Sequence, residues 1–132
     1  MGYILNHTLA ADSLALAELP LCELRLMNNQ HVLWLVLIPR RDHVTELLDL
    51  AAADQAVLLA EINQVSALLK QHFPCDKLNI ALLGNVVPQL HVHIIARRFD
   101  DAYFPRAPFG LPGQPYAAEA GQQLIQTLQA LL

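Results

Sequence analysis

The sequence predicts an α+β fold in which a single antiparallel sheet of about five strands is packed by helices. Three observations indicate this fold class. Short apolar runs alternate with turn signals, one long segment has the spacing of an amphipathic helix, and a second amphipathic segment closes the chain. The 132 residues are 55% hydrophobic, which is enough for a buried core. We therefore expect residues 1–132 to form one domain.

The first predicted strands lie in the N-terminal third of the chain. Residues 21–27 (LCELRLM) are predicted to form a strand, and residues 28–30 (NNQ) a turn, because Asn tolerates left-handed backbone conformations. Residues 32–38 (VLWLVLI) are apolar on both faces, which favours a central strand. Pro39 ends this strand. We interpret Trp34 within it as a core residue, since indole buries a large apolar area.

Helical signals follow. Thr45 is expected to cap a short helix, with Glu46 in its first turn. Residues 53–72 form the clearest helix, which Pro74 closes. Its apolar stripe comprises Leu58, Ile62, Val65, Leu69 and His72, and we interpret His72 as a packed residue at the helix end.

The C-terminal half contains the remaining elements. Residues 78–83 are predicted to be a third strand, Gly84-Asn85 a turn, and residues 89–96 a further strand. The Pro- and Gly-rich residues 105–115 are expected to form an ordered surface loop. The last helix is predicted to start near Pro115, with Leu124, Leu128 and Leu131 on its apolar face.

Charge and composition exclude several classes of protein. The net charge of -4 argues against long nucleic acid as a partner. No apolar run approaches the roughly 20 residues that cross a membrane, and the N-terminus lacks a signal-peptide pattern, so a cytoplasmic location is expected. The pairs Arg40-Arg41 and Arg97-Arg98 are interpreted as solvated strand ends. Cys22 and Cys75 lack a CxxC spacing and are expected to be ordinary thiols.

The most informative segment is the strand that carries two histidines. Apolar and polar residues alternate from Gln89 to Ile95, so that Gln89, His91 and His93 share one face. A row of polar side chains on a strand is costly unless it meets partners, water or a ligand. These histidines could be structural, or they could share a zinc or iron ion, with a third and a fourth ligand from elsewhere, for which His31, His43 and the acidic residues are candidates.

A further hypothesis is that these histidines act in nucleophilic catalysis. Imidazole can attack phosphorus and form a covalent phosphoramidate, which divides one difficult displacement into two easier ones. A neighbouring histidine could donate a proton or a hydrogen bond to the phosphate or the leaving group. Asn85, in the turn that precedes the strand, is well placed to bind the rest of the ligand.

Residues 78–95 (LNIALLGNVVPQLHVHII) resemble the signature of the histidine triad (HIT) superfamily. The family motif is His-φ-His-φ-His-φ-φ, where φ is apolar. In a bacterial subgroup it follows a Leu-Gly-Asn-x-Val-Pro turn, which residues 83–88 match. The segment from Ile38 to His43 and the two helices after it also follow the family order. The resemblance covers roughly residues 20–100.

The resemblance implies roles for particular residues. His91 stands at the middle position, that of the nucleophile that takes up a nucleotidyl group from an α-phosphate, and His93 at the third, which contacts the phosphate or leaving group. Gln89 replaces the first histidine. It cannot ionise, although it can donate and accept hydrogen bonds. Asn28 is the best match for the ribose-binding asparagine, with Asn29 as the alternative. Asn85 matches a phosphate-contacting residue, and Asn79 also fits the subgroup pattern.

The resemblance further implies a HIT-like homodimer that acts on a small nucleotide conjugate, such as a dinucleoside polyphosphate or a nucleoside phosphoramidate. The implied mechanism requires no metal or other cofactor. Two alternatives remain at this point, namely a nucleotide-binding module with weak or no catalysis because of Gln89, and a metal-dependent enzyme with His91 and His93 as ligands. The chain also departs from the family in having Leu33-Trp34 where many members have Gly-His.

Overall fold

The computed structural model describes residues 2–132. Its elements in chain order are α1 (His7–Asp12), β1 (Ser13–Glu18), β2 (Cys22–Met27), β3 (Leu33–Pro39), a 3₁₀ turn (Leu47–Asp49), α2 (Ala52–His72), β4 (Lys77–Ala81), β5 (Val92–Arg97) and α3 (Ala118–Leu131). The five strands form one antiparallel sheet in the order β1-β2-β3-β5-β4. The predicted α+β fold is confirmed, and β3 is its central strand.

One face of the sheet packs against the two long helices. Alternate residues of the strands point toward α2 and α3, as the period of two requires. The predicted stripe of α2 is buried at Leu58, Val65 and Leu69. The core that results includes Leu24, Leu26, Leu35, Leu37, Val92, Ile94, Ile125 and Leu128.

The second face of the sheet is covered in two places by segments that are not part of it. Leu9 of α1 packs against Val36, Ile38 and Val87. Tyr103 belongs to a second apolar cluster with Val32, Trp34 and Ile95. It lies in residues 98–117, between β5 and α3, which we call the C-terminal loop. The N-terminal segment and the C-terminal loop therefore form two walls over this face.

Two elements near the N-terminus, α1 and β1, were not predicted from the sequence. The helix α1 has six residues, which is too short for a clear helical period. In β1 the pairing with β2 shifts register between Ala15 and Ala17. Such an irregularity breaks the alternation of apolar and polar residues by which a strand is recognised.

The strand boundaries also differ from the prediction. β5 begins at Val92 and not at residue 89, because the Leu90 N–H donates to the Val44 carbonyl at 3.0 Å instead of to the sheet. Gln89 and His91 therefore lie in the segment that enters the strand. β4 ends at Ala81, two residues before the predicted end.

The helix ends also differ from the prediction. α3 begins at Ala118, because the residues before it are held by the 28–30 loop, with the Tyr116 N–H donating to Asn28 Oδ1 at 2.9 Å. Its buried positions are Gly121, Ile125 and Leu128, whereas the predicted Leu131 is exposed. His72 is exposed, so its interpretation as a packed residue was wrong.

The predicted cap near residue 45 is displaced by one residue. Glu46 occupies the N-cap position of the 3₁₀ turn, and its side chain and that of Asp49 form a reciprocal capping box. The hydroxyl of Thr45 instead donates to the Asp49 carboxylate at 3.2 Å. Within residues 2–132, no helix has the length and apolar character needed to cross a bilayer.

Candidate functional site

A cleft of about 390 Å³ opens on the second face of the sheet, between the two walls. Its floor is formed by β3 and the start of β5, one side by α1, and the other by the turn after β4 and the C-terminal loop. The lining residues are Thr8, Leu9, Asp12, Met27, Trp34, Leu83, Gly84, Asn85, Val86, Val87, His91, His93, Phe109 and Gly110. The structure thus brings both predicted histidines and Asn85 into one cleft.

His91 is held in one orientation by the backbone. It is 5% exposed, and its Nδ1 lies 2.7 Å from the Gln89 carbonyl oxygen. Because a carbonyl oxygen can only accept, Nδ1 carries the proton, and in the neutral ring Nε2 keeps a lone pair. No partner within residues 2–132 hydrogen-bonds to Nε2. The ring is therefore oriented with one nitrogen available to a ligand.

The turn at Gly84 approaches this ring closely. A Cβ added at Gly84 would lie 3.2 Å from His91 Cε1 and 3.0 Å from the Val87 carbonyl oxygen. Only a residue without a side chain allows the backbone to come this near without a shift. The turn thereby brings the backbone at Gly84 against the imidazole, and Asn85 lines the same cleft.

His93 uses both of its ring nitrogens inside the protein. The Trp34 indole N–H donates to His93 Nδ1 at 3.0 Å, and His93 Nε2–H donates to the Leu83 carbonyl at 3.0 Å. The indole is only a donor, so Nδ1 must be the unprotonated nitrogen. Burial lowers the pKa of His93 to about 4. At pH 7 His93 is therefore neutral, and its two hydrogen bonds connect β3 to the Gly84 turn.

Aromatic rings surround the two imidazoles. The centroids of His91 and His93 lie 4.8 Å apart, and Phe109 packs edge-on against His93 at 4.8 Å and Trp34 at 5.4 Å. Trp34 is 7% exposed, as its interpretation as a core residue requires, but it also positions His93. The signal in the sequence that could have indicated this second role is the departure at residues 33–34, where many family members have Gly-His. No pattern in the sequence pointed to Phe109, which lies in the loop interpreted only as surface.

Asn28 lies in a second cavity of about 420 Å³ that adjoins the cleft. The two cavities share Asp12, Met27 and Trp34 as lining residues. Asn28 Oδ1 accepts the Tyr116 N–H, which leaves its Nδ2 amide for a ligand. A molecule that occupied both cavities would extend from His91 to Asn28.

Two predicted residues have side chains engaged elsewhere. The side-chain amide of Gln89 hydrogen-bonds to the N-terminal backbone. Asn79 Oδ1 accepts from Arg97 Nη1 at 2.9 Å, and Arg97 also forms a bidentate pair with Asp101 at 2.9 and 3.1 Å. Arg97 is 1% exposed, so its interpretation as solvated was wrong. The structure does not bring Asn79 to the cleft.

The electrostatics of the cleft are simple. Within the part of the chain that the structure describes, its lining contains one carboxylate, Asp12, and no lysine or arginine. An anion bound there would depend on N–H donors. No group of three or more His, Cys, Asp or Glu residues between positions 2 and 132 could hold a metal ion. Because His93 has both nitrogens engaged, the donor set does not fit a metal shared with His91.

Comparisons with known proteins identify a family and similar structures. The family described as "HIT domain" matches residues 8–100. The crystal structure of a histidine triad protein from Bradyrhizobium japonicum is 42% identical, with a TM-score of 0.94 and 98% of each chain covered. Histidine triad proteins from Sinorhizobium meliloti 1021 and Marinobacter aquaeolei VT8 are 37% and 38% identical, with TM-scores of 0.95 and 0.96. These two alignments cover 98% and 100% of this chain and 97% of each relative. The comparison with curated proteins finds no match.

Proposed function

Because the chain belongs to the HIT domain family, we propose that it hydrolyses or transfers the nucleotidyl group of a small nucleotide conjugate, with His91 as the nucleophile. The observation that carries this proposal is the 2.7 Å hydrogen bond from His91 Nδ1–H to the Gln89 carbonyl. This bond directs the lone pair of Nε2 away from the backbone, in a ring that lines the cleft. Substrates of the dinucleoside polyphosphate or nucleoside phosphoramidate type carry the required α-phosphate.

The reaction has two displacements. His91 Nε2 attacks the α-phosphorus, the P–N bond forms, and the bond from phosphorus to the leaving group breaks with its electron pair on the leaving group. Water then attacks the same phosphorus, the P–N bond breaks, and His91 is regenerated with release of the nucleoside monophosphate. The leaving group gains a proton from solvent, and the attacking water returns one.

The surrounding residues act mainly by positioning and electrostatic stabilisation. Asn85 and the backbone of the Gly84 turn would donate hydrogen bonds to the phosphate oxygens, and Asn28 Nδ2 to the ribose. His93 would keep the turn in place and would not act as the acid, since its Nε2–H is given to the Leu83 carbonyl.

A nucleotide-binding module with weak or no catalysis is the second candidate. It is favoured by one observation, which is that both nitrogens of His93 are engaged. The cleft then lacks a second imidazole able to protonate a leaving group. Substrates whose leaving group needs no protein acid would still react.

We also propose that the protein is a cytoplasmic homodimer. β4 is an edge strand, and such an edge offers unpaired backbone groups to another chain. Large apolar side chains are exposed on this strand and on the turn after it, at Ile80, Leu82, Leu83 and Val86. A second copy would cover this surface.

The test is turnover of adenosine 5′-phosphoramidate and of diadenosine polyphosphates by wild-type protein, with and without chelator. We expect turnover that chelator leaves unchanged, and an adenylylated intermediate on His91 detectable by mass spectrometry after rapid acid quench. His91→Ala should lower kcat by about 10⁴-fold or more. His72→Ala, an exposed histidine at the end of α2, is the matched control and should retain full activity.

Other outcomes would change the assignment. Nucleotide binding without turnover would favour the binding module. Activity that chelator removes and zinc restores would contradict nucleophilic catalysis by His91.

A further inference from the structure

The side chain of Gln89 is joined to the N-terminal segment by two hydrogen bonds. Its Nε2 donates to the Ile4 carbonyl at 2.8 Å, and its Oε1 accepts the Asn6 N–H at 2.8 Å. Both halves of one amide are therefore paired with the backbone, in the manner of a neighbouring strand. These bonds link residues more than 80 positions apart in sequence.

The segment that Gln89 holds leads directly into one wall of the cleft. The side chain of Asn6 caps α1 by accepting the Thr8 N–H at 2.8 Å. Thr8, Leu9 and Asp12 of that helix line the same cleft as His91, His93 and Phe109. The position of Asn6 thus sets where this wall begins.

A histidine at this position could not make the same pair of bonds. The oxygen and one N–H of a primary amide point in nearly the same direction and can pair with one backbone segment, whereas the two ring nitrogens of an imidazole point apart. The orientation of the His91 ring depends instead on the backbone carbonyl of residue 89, which any amino acid at this position supplies.

We propose that Gln89 is a positioning residue that docks residues 4–6 and so builds the α1 wall of the substrate cleft. It is then not the remnant of a lost catalytic histidine. This inference rests on the proposed function only in identifying the cleft as the substrate site, because the docking itself can be measured without turnover.

Hydrogen exchange tests the docking directly. In Gln89→Ala, we expect the Asn6 amide to exchange about tenfold faster or more, while amides in β3 stay protected; in Gln89→Glu, which keeps an acceptor for the Asn6 N–H, we expect a smaller increase. Gln89→Glu preserves volume and the acceptor but loses the donor to Ile4. Gln55→Ala is the control, because it removes a comparable amide-to-carbonyl bond at 3.0 Å on α2. Unchanged exchange at Asn6 in both Gln89 variants would overturn the proposal.

A backbone substitution provides an independent test. Asn6 has φ -56°, which proline can adopt, so Asn6→Pro removes the N–H, and its ring displaces the Gln89 amide that the N–H bonded to. Asn6→Ala removes only the cap and serves as its control. We expect Gln89→Ala to raise KM about five- to tenfold with a smaller change in kcat, and to have little further effect on KM in an Asn6→Pro background. Fully additive effects on KM would count against docking as the cause.

Gln89→His separates the two explanations of this position. If Gln89 docks the wall, Gln89→His should accelerate exchange at Asn6 and should not increase kcat. A rise in kcat with Asn6 exchange unchanged would refute the proposal while leaving nucleophilic catalysis intact. If wild-type protein had no turnover, the proposed function would fail, and the exchange experiment would still decide the docking.

Discussion

Replacing Trp34 by phenylalanine should change the protonation behaviour of His93. The substitution removes the indole N–H that donates to His93 Nδ1 at 3.0 Å, while an aromatic ring remains beside Phe109. His93 Nε2–H still donates to the Leu83 carbonyl. We therefore expect the substitution to act mainly on the unprotonated nitrogen of His93.

The expected change in the pKa of His93 can be worked out from the burial of its imidazole. Burial lowers the pKa of His93 from 6.5 to about 4, so that protonating the folded imidazole costs about 3 kcal/mol more than protonating the unfolded one. The indole N–H adds to this cost, because it faces the nitrogen that the proton would occupy. A hydrogen bond of this kind contributes about 1 kcal/mol, so its removal should raise the pKa of His93 by about 1.

The substitution should also destabilise the protein. A buried Nδ1 without a donor costs about 1–3 kcal/mol in the free energy of unfolding. An NMR titration of the ¹⁵N-labelled imidazoles gives both the tautomer and the pKa, and urea unfolding at pH 7 gives the stability. Phe109→Leu, which preserves the indole N–H, should leave the tautomer of His93 unchanged.

Either of two results would refute this influence of Trp34 on His93. One is a wild-type His93 that titrates near 6.5 or carries its proton on Nδ1. The other is an unchanged His93 pKa in Trp34→Phe, which would mean that the indole does not influence this imidazole.

Two further predictions concern the same cleft. Because the pKa of His93 is lower in the folded state than its ordinary value of 6.5, the unfolded state binds more protons between pH 6.5 and pH 4, and stability should fall by about 3 kcal/mol as the pH falls through this window. Urea unfolding at several pH values, compared with His93→Gln, should show this component missing in the variant; equal pH dependence of the two proteins would contradict it. Gly84→Ala should lower kcat about tenfold, because the added Cβ would lie 3.0 Å from the Val87 carbonyl oxygen and 3.2 Å from His91 Cε1. Gly2→Ala, where nothing lies within 4 Å, is its control, and wild-type kcat in Gly84→Ala would refute the close approach.

The local sequence pattern was sufficient to predict those features that depend only on residues close together in the sequence. The alternation around His91 and His93 predicted that they share a face, and both line the cleft. The helical period of residues 53–72 predicted α2, which spans Ala52–His72. In each case one face is buried because apolar residues recur every two residues in a strand or every 3.6 residues in a helix, and this recurrence can be recognised in the sequence.

The partners of the polar side chains depended on the tertiary structure. Trp34 and His93 are 59 residues apart, and Gln89 and Ile4 are 85 apart. A hydrogen bond needs two groups within about 3 Å, and no local period records which distant segment supplies the second one. The sequence alone determined the α+β fold and the face on which the histidines lie. Only the tertiary structure decided that His93 is neutral and bonded through both ring nitrogens. The packing of the N-terminal segment onto the sheet likewise decided that the side chain of Gln89 bonds to the backbone of residues 4–6.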